Sequence, residues 1–344
     1  MPKPAAWRAD FERRPNQRLV LAPQDKSPDS HSPLHVGWRW HAILEDIDVS
    51  RYERQSFLGP ESGSVLGVAR AGIVGLGGGG SHIAQQLAHI GIGRFVLTDM
   101  DHYEDKNHNR TVGGVASDIG NRTLKVRIAE RTILAVNPRA DVFAVEGRWQ
   151  TALSRLRECD VVFGCVDSYT ERDQLENLCR RYLIPYIDTG MDVHRADNGY
   201  AVQGQVILSM PGDLCLRCFN FLRQDLLDRE AQGYGKAGGR PQVIWPNGVL
   251  ASTAVGLFTE LMSPWHPAGR GRSVMYDYDG NRHTVTVSSR VEALERVVCH
   301  HFGDVHDVGD PFWKPDYTET ALARARPARL GLFIQWLRGL FRRS

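Results

Sequence analysis

Short β-rich runs alternate with longer helical runs from Val68 onward, and this alternation restricts the chain to a small set of folds. Residues 82–90 and 124–136 place apolar side chains three and four positions apart, as helices do. The β-rich runs between and around them lie at 68–74, 95–99, 141–146 and 160–166. Strands separated by helices predict an α/β fold whose sheet is mostly parallel and doubly wound.

The pattern changes after Tyr186. Apolar and polar residues alternate in three further runs, which predicts the strands of a mixed or antiparallel second half. These runs are 202–208, 274–278 and 284–287. Residues 225–241 are polar and rich in glycine and predict a loop, whereas residues 250–262 predict a helix. The expected fold is a Rossmann-like, doubly wound sheet that continues into a mixed or antiparallel C-terminal half.

Composition divides the chain into three expected segments. Residues 1–45 are rich in Pro, Arg, Asp and Ser and predict an irregular N-terminal extension. Residues 46–290 carry the α/β pattern, and residues 291–344 form a C-terminal extension. In that extension, residues 330–343 gather Leu, Phe and Trp on one side of a predicted terminal helix. Such an amphipathic helix either docks on the body or offers a basic surface to a membrane or partner.

The overall charge gives no reason to expect a nucleic-acid partner. The net charge is only +2 over 344 residues. No run reaches the ~18 apolar residues of a membrane span, so no stable membrane association is expected. The chain starts without a signal segment and its six cysteines are scattered, which predicts a cytoplasmic protein with reduced thiols.

Glycines fill the junction between the first predicted strand and the helix that follows it. They are Gly75, Gly77, Gly78 and Gly80. At such a junction bare backbone can approach a phosphate, and the helix N-terminus offers free N–H groups. Asp99 ends the next strand, where a carboxylate would reach ribose hydroxyls. These features predict nucleotide binding, and an NAD-dependent dehydrogenase would share them.

A polar and cationic cluster follows the second strand. Its members are Asp101, Asn107, Arg110 and Lys125. A nicotinamide site does not need cationic and polar side chains that bind a triphosphate. Adenylyl transfer needs them, because charge builds on the α-phosphate and on the departing pyrophosphate, and positioned cations neutralise it.

Several motifs follow one another in a specific order along the chain. They are Arg51-Tyr-Glu-Arg54-Gln55, Gly75-x-Gly77-Gly78-x-Gly80, Asp99-x-Asp101, Asn107-x-x-Arg110, Asp118-Ile-Gly120, Lys125 before Asn137-Pro138, and Cys165-Val-Asp167-Ser with Arg172. In this order they resemble the adenylation domain of the ubiquitin-activating superfamily. Its bacterial members of this size are sulfur-carrier adenylyltransferases of the ThiF/MoeB type. The sequence departs from the family pattern at Thr111, where glutamine is usual, and in a longer stretch before Lys125.

The resemblance implies a nucleotide-binding role for each matching residue. Asp99 would hold the ribose of ATP, and Asp101 would belong to the same site. Asn107, Arg110 and Lys125 would contact the phosphates.

The resemblance also implies a metal and a partner subunit. Asp167 would bind Mg²⁺, and Arg54 would act as an arginine finger on the ATP of the other subunit of a homodimer.

The implied reaction is ATP-dependent adenylylation of the C-terminal carboxylate of a ubiquitin-like or sulfur-carrier protein. Three alternatives stay open. The enzyme could adenylylate a peptide, a small molecule or a tRNA, the chain could be a non-catalytic scaffold, or it could be an NAD-dependent dehydrogenase.

One cysteine pair suggests a metal. Cys215 and Cys218 match the first half of the family's tetrahedral zinc site, and Cys299 with His301 stands where the second half is expected. The alternative is two thiols without metal. Residues 219–247 contain no cysteine, so a thioester at the family's usual position is excluded.

Overall fold

The strands of the described chain form one sheet whose order reverses at β1 and β4, and a cleft lies at the carboxyl ends of these two strands. The computed structural model describes residues 49–197, 199–232, 241–263, 265, 271–294 and 297–302. The strands are β1 (Arg70–Val74), β2 (Arg94–Asp99), β3 (Asp141–Glu146), β4 (Val161–Gly164), β5 (Tyr186–Ala196), β6 (Gly199–Ser209), β7 (Val274–Asp279) and β8 (Thr284–Val287). Their order in the sheet is β3-β2-β1-β4-β5-β6-β7-β8.

Helices connect the strands. The α-helices are α1 (Ser62–Val68), α2 (Gly78–Ile90), α3 (Ala116–Gly120), α4 (Lys125–Val136), α5 (Leu153–Leu156), α6 (Tyr169–Arg181), α7 (Gln224–Ala231), α8 (Ile244–Met262) and α9 (Ser289–Ala293). Short 3₁₀ helices span Val49–Leu58, Asp105–Asn107 and Trp149–Ala152.

The sheet changes from parallel to antiparallel at β5. Strands β1 to β4 pair in parallel, and residues 186–188 of β5 join them through β4. The whole of β5 then pairs with β6 in an antiparallel hairpin, and β7 and β8 continue the antiparallel part. The expected fold class is confirmed: a mostly parallel sheet is followed by an antiparallel C-terminal half.

Burial explains why these segments form strands. All four residues of β4 and the last four of β1 are buried, as expected for parallel strands covered on both faces. The edge strand β3 has exposed and half-buried residues instead. Helix α2 ends at Gly91, whose left-handed conformation (φ +96°) lets its N–H bond to the carbonyl of Ala88.

Three sequence-based boundaries are wrong, and the first is that of the helix predicted at 250–262, which begins at Ile244. The polar segment predicted as a loop at 225–241 contains the amphipathic helix α7, and residues 233–240 lie outside the described residues. Val68 belongs to α1, so the first strand begins at Arg70. The long strand β5 was not predicted as one element, because its second half has few buried residues.

The predicted N-terminal extension (1–45) and terminal helix (330–343) lie outside the described residues, and the three-segment division stays a prediction. Among the described residues, no helix combines the length and apolar content that a membrane crossing requires.

A bidentate ion pair fixes the segment between β2 and α4. Arg131 donates from Nη1 to Oδ1 of Asp118 (2.9 Å) and from Nη2 to Oδ2 (2.7 Å). The backbone N–H of Val115 donates to the same carboxylate. The hydrogen bonds from Arg131 lower the pKa of Asp118 to about 2. The motif residue Asp118 is therefore structural, and it shapes the loop that leads into Lys125.

Replacement of Asp118 by asparagine should destabilise the protein at neutral pH. Because the folded-state pKa is depressed, the stabilisation is present above the unfolded pKa of 3.8 and is lost as the pH falls towards 2. Half of Arg131 is exposed, so we expect a loss of about 1–2 kcal/mol, seen as a melting temperature lower by roughly 2–8 °C. The exposed Asp228→Asn is the control. Two results would contradict this account. One is an equal effect of the two substitutions on the melting temperature. The other is a difference in melting temperature between wild-type protein and Asp118→Asn that widens as the pH falls from 4 to 2.

Candidate functional site

A cavity of about 370 Å³ opens at the carboxyl ends of β1, β2 and β4. This is the position where the strand order reverses, and ligands of doubly wound sheets bind there. Its wall contains most of the sequence-predicted nucleotide residues. These are Gly75, Gly77, Gly78, Asp99, Asp101, Asn107, Arg110, Lys125 and Asp167.

The glycine loop forms the floor of this cavity. Gly75 has φ +87°, and a Cβ atom there would collide with the backbone carbonyl of Cys165. A Cβ atom at Gly80 would collide with the carbonyl of Gly75. Glycine therefore lets the loop pack directly on β4 and places the N-terminus of α2 at the cavity. The first turn of the 13-residue helix α2 lines the cavity, and a helix N-terminus of this kind favours an anion.

Asp99 is tied to the glycine loop. Its Oδ2 accepts a hydrogen bond from the N–H of Leu76 (2.7 Å), and its Oδ1 accepts one from Asp101 (2.8 Å). Burial raises the pKa of Asp99, while Lys125 and these hydrogen bonds oppose the shift. The carboxylate is thereby fixed at the end of β2 beside the cavity.

Three buried polar atoms in the cavity wall have no hydrogen-bond partner within the described residues. They are Oγ1 of Thr98, Nε1 of Trp149 and Nε of Arg110, and the first two residues are more than nine-tenths buried. Unpaired buried polar groups are costly, so they indicate a ligand or water in this space. The cavity therefore fits a polar ligand near Asp99.

Lys125 enters the cavity from the first turn of α4. Its Nζ donates to Oδ2 of Asp101 at 2.7 Å, and its backbone N–H donates to the carbonyl of Asp101. Asp101 is half-exposed and Lys125 is buried. Asp101 thus orients the ammonium group. The extra residues before Lys125 are accommodated by a turn in which Arg122 is left-handed (φ +51°).

Asn107 and Arg110 lie on the loop after β2. Asn107 is buried, and its Oδ1 accepts a hydrogen bond from the N–H of Glu104 (3.0 Å), which rigidifies the loop. The guanidinium of Arg110 donates to the carbonyl of Lys106 and to Oδ1 of Asn109. Nδ2 of Asn109 in turn donates to the carbonyl of Gln242, which joins this loop to the segment before α8.

Asp167 lies at the rim of the cavity, just before helix α6. The Oγ of Ser168 caps this helix by accepting from the N–H of Glu171 (3.2 Å). The carboxylate of Glu230, from α7, accepts from Ser168 and Thr170 and holds α7 against the same helix end. Asp167 is exposed and therefore accessible to a metal ion.

A buried ion pair supports the opposite wall. The guanidinium of Arg172 bonds the carboxylate of Asp188, and its Nη2 donates to the carbonyl of Thr189 (3.3 Å). Tyr186 donates to the second oxygen of Asp188 at 3.0 Å. This network holds residues 189–191, which line the cavity on the β5 side. Arg172 was part of a sequence motif, but its partner on another strand could not be foreseen.

Arg54 is the one predicted catalytic residue that the structure places away from the cavity. It is exposed on the 3₁₀ helix Val49–Leu58. Gln55 of this helix donates to the carbonyl of Ile90 (3.0 Å), and Arg51 donates to that of Val136 (3.3 Å). The 3₁₀ helix therefore contacts the C-terminal ends of α2 and α4, whose N-terminal ends face the cavity. A 13-residue helix is about 20 Å long, so Arg54 is remote from its own cavity.

The predicted cysteine and histidine residues come together in a separate cluster. Sγ of Cys215 and Sγ of Cys218 lie 3.6 Å apart, and each lies 3.4 Å from Nδ1 of His301. Sγ of Cys299 lies 4.0 Å from the same nitrogen. All four ligand atoms lie within 4.8 Å of one another. Ligands 2.3 Å from a tetrahedral zinc ion would be about 3.8 Å apart, so the donor set and its spacing fit zinc.

Helix α6 connects this cluster with the cavity. The carboxylate of buried Glu176 accepts from the N–H of Leu216 (2.9 Å) and from Ser209 (2.6 Å). Arg180 donates to Ser209 and to the carbonyl of Leu214. Burial raises the pKa of Glu176 to about 7. These bonds fix the loop that carries the first two cysteines.

The remaining cysteines are poor nucleophiles. Cys159 and Cys179 are buried in the hydrophobic core. Cys165 lines the cavity, but burial raises the pKa of its thiol to about 12. A thiol with this pKa carries almost no thiolate at neutral pH.

Sequence reasoning missed several residues of the cavity wall. Arg148 and Trp149 follow β3, and Gln242, Asn247 and Leu250 come from the segment around the start of α8. They belong to no motif, and only the strand order brings them to the cleft.

Comparison with known proteins agrees with the fold. The crystal structure of E. coli MccB with ATP superposes with a TM-score of 0.56 at 21% identity, covering 69% of this chain and 70% of that one. At this level of identity the likeness concerns the fold alone.

Two relatives are similar in sequence. The sulfur carrier protein adenylyltransferase of Thermus thermophilus is 34% identical over 139 residues, which is 39% of this chain and about half (49%) of the relative. The molybdopterin-synthase adenylyltransferase of Salmonella typhimurium is 28% identical over 245 residues, covering 69% of this chain and 91% of the relative.

The family model described as the ThiF family matches residues 50–287. This match includes β1 to β8 and the whole cavity wall, and it spans well over half of the 344 residues. The protein therefore belongs to the ThiF family.

Proposed function

We propose that the protein is an adenylyltransferase that activates the C-terminal carboxylate of a ubiquitin-like or sulfur-carrier protein with ATP. The observation that carries this proposal is the cavity itself. A glycine loop and a helix N-terminus lie beside Lys125, Arg110 and an exposed Asp167. The names of the two relatives support the same chemistry.

ATP would lie with its ribose at Asp99 and its phosphates over residues 75–80. Lys125, oriented by Asp101, and Arg110 with Asn107 would neutralise the phosphates. Asp167 would hold Mg²⁺, which binds proteins through one or two carboxylates together with substrate phosphates and supplies charge neutralisation when bound.

The reaction needs positioning and charge neutralisation more than covalent chemistry. A carboxylate oxygen of the carrier attacks the α-phosphorus of ATP in line. A new P–O bond forms as the bond to the β-phosphate breaks, and pyrophosphate leaves with its electron pair. The product is an acyl adenylate. Residues 219–247 contain no cysteine and the Cys165 thiol has a raised pKa, so the enzyme stops at this adenylate or passes it to a separate acceptor.

A homodimer would complete the site. Arg54 is exposed and remote from its own cavity, yet the 3₁₀ helix that carries it is held in place by Arg51 and Gln55. Among the described residues, the Arg54 side chain makes no hydrogen bond or ion pair, and an exposed cation of this kind suits a role in the partner's site. We therefore propose that Arg54 contacts the ATP of the other subunit.

Zinc would have a structural role. Cys215, Cys218, Cys299 and His301 would fill four tetrahedral positions and leave none open for a substrate, as in structural zinc sites. None of the six cysteines, all of which lie in the described residues, forms a disulfide, which supports a reducing compartment. We propose that the protein is cytoplasmic and acts without nucleic acid or membrane.

Asp167→Asn should abolish ATP–pyrophosphate exchange with a Gly-Gly carrier, a loss of at least about 100-fold, because the metal ligand is removed. Exchange is followed with labelled pyrophosphate against a panel of carriers, peptides and small carboxylic acids. Asp141→Asn, at the opposite end of the sheet, is the matched control and should retain activity. Full exchange in Asp167→Asn would refute the metal site.

The same assay on wild-type protein distinguishes the alternative functions. Exchange with a peptide or small acid alone would favour that substrate class, and tight NADH binding without exchange would favour a dehydrogenase.

Mixing two inactive variants should restore activity if Arg54 acts across the dimer. In an Arg54→Ala/Asp167→Asn heterodimer, one site has an intact Asp167 and receives Arg54 from its partner. Random assortment then gives about a quarter of wild-type exchange. The measurement is exchange before and after co-refolding or subunit equilibration. No recovery in verified heterodimers, or a fully active Arg54→Ala protein, would contradict the proposal.

The purified protein should contain one zinc ion per chain by elemental analysis. Cys299→Ser should lose this zinc and melt at a lower temperature, because a tetrahedral site loses a thiolate. Cys165→Ser leaves the four ligands intact and should keep the metal. Stoichiometric zinc in Cys299→Ser would exclude Cys299 as a ligand.

A further inference from the structure

Asn247 contributes the carboxamide of a buried residue to the cavity wall, beside the glycine loop. It lies in the first turn of α8, is 6% exposed and lines the cavity. A Cβ atom at Gly78 would collide with its carboxamide, so this group rests directly on the first turn of α2. No sequence motif includes Asn247.

The hydrogen bonds of this carboxamide are incomplete. Nδ2 donates to the carbonyl of Val243 at 2.9 Å, within the same helical turn. Among the described residues, Oδ1 accepts no hydrogen bond. Because Asn247 lines the cavity, its Oδ1 is available to a donor that enters the cavity.

ATP cannot supply that donor at this place. The group nearest the glycine loop is the phosphate chain, and its oxygens are acceptors, as Oδ1 is. Thr189, which faces Gly79 from β5, already donates to Sγ of Cys165 (3.4 Å). Of the two substrates, the second is therefore the one that can supply a donor to Oδ1.

The chemistry of the second substrate identifies the donor. Its reacting carboxylate has only acceptor oxygens. In a polypeptide, the donor nearest to the terminal carboxylate is the N–H of the last peptide bond. A simple carboxylic acid has no such group.

We propose that Asn247 is a specificity-determining residue whose Oδ1 accepts the N–H of the last peptide bond of the substrate. This inference rests on the adenylyltransferase proposal and narrows its substrate class. The substrate is a polypeptide C-terminus, and its last residue is not proline, which lacks the N–H.

Two adenylate mimics test this hydrogen bond. One is diglycyl-sulfamoyladenosine, in which a sulfamate replaces the phosphate. The other carries an ester oxygen in place of the amide N–H. Titration calorimetry with wild-type protein should give about tenfold tighter binding of the amide than of the ester, because the ester leaves Oδ1 unpaired. Asn247→Ala should bind the two mimics equally.

The control is Ser252→Ala. Ser252 lies on the same helix, is exposed, and donates to the carbonyl of Gly248 in the same i to i−4 manner. Ser252→Ala should still bind the amide mimic about tenfold more tightly than the ester mimic. Asn247→Ala should bind ATP with the affinity of the wild-type protein.

Three results would overturn the inference. Equal binding of both mimics by wild-type protein would exclude the hydrogen bond to Asn247, as would tighter binding of the amide mimic by Asn247→Ala. Neither result would contradict the adenylyltransferase proposal. A parallel loss of ATP affinity and thermal stability in Asn247→Ala would assign the residue a structural role instead. Failure of wild-type protein to bind either mimic would contradict the adenylyltransferase proposal itself.

Discussion

The close packing of the glycine loop against β4 is the constraint on which the rest of the site depends. Side chains at Gly75 or Gly80 would collide with backbone atoms, so the loop can lie on the strand only as glycine. This packing brings the N-terminus of α2 into the cleft, and the hydrogen bond from Leu76 to Asp99 joins the loop to β2. Asp167, two residues beyond Cys165, then reaches the same space.

Helix α6 extends this arrangement to a second site. Its N-terminal part carries Arg172, which supports the β5 wall of the cavity through Asp188. Its C-terminal part carries Glu176 and Arg180, which hold the loop of Cys215 and Cys218. The cysteine and histidine cluster is therefore part of the framework that supports α6, and its chemistry is separate from that of the cavity.

The residues at the ends of strands and helices could be predicted from the sequence, because neighbouring residues indicate where each strand or helix begins and ends. The glycine loop, Asp99 and Lys125 each stand at a predicted boundary between a strand and a loop or helix, and the strand order brings them together as expected. The structure also brings Cys299 and His301 close to the first cysteine pair, and their role as zinc ligands stays a prediction.

Other features depend on long-range packing, which periodicity does not reveal. Helix α7 was missed because none of its residues is buried, and what holds it is the long-range contact of Glu230 with α6. Asn247 reaches the cavity only because α8 crosses the glycine loop. The ion pair between Asp101 and Lys125 likewise could not be predicted from the sequence.

The most direct test of the central claim is ³¹P NMR of ATP incubated with the protein, Mg²⁺ and a Gly-Gly carrier. The account predicts that ATP is converted to pyrophosphate and an adenylate, and only when the carrier is present. Formation of ADP and orthophosphate, or a spectrum that stays unchanged with every carrier, would contradict it.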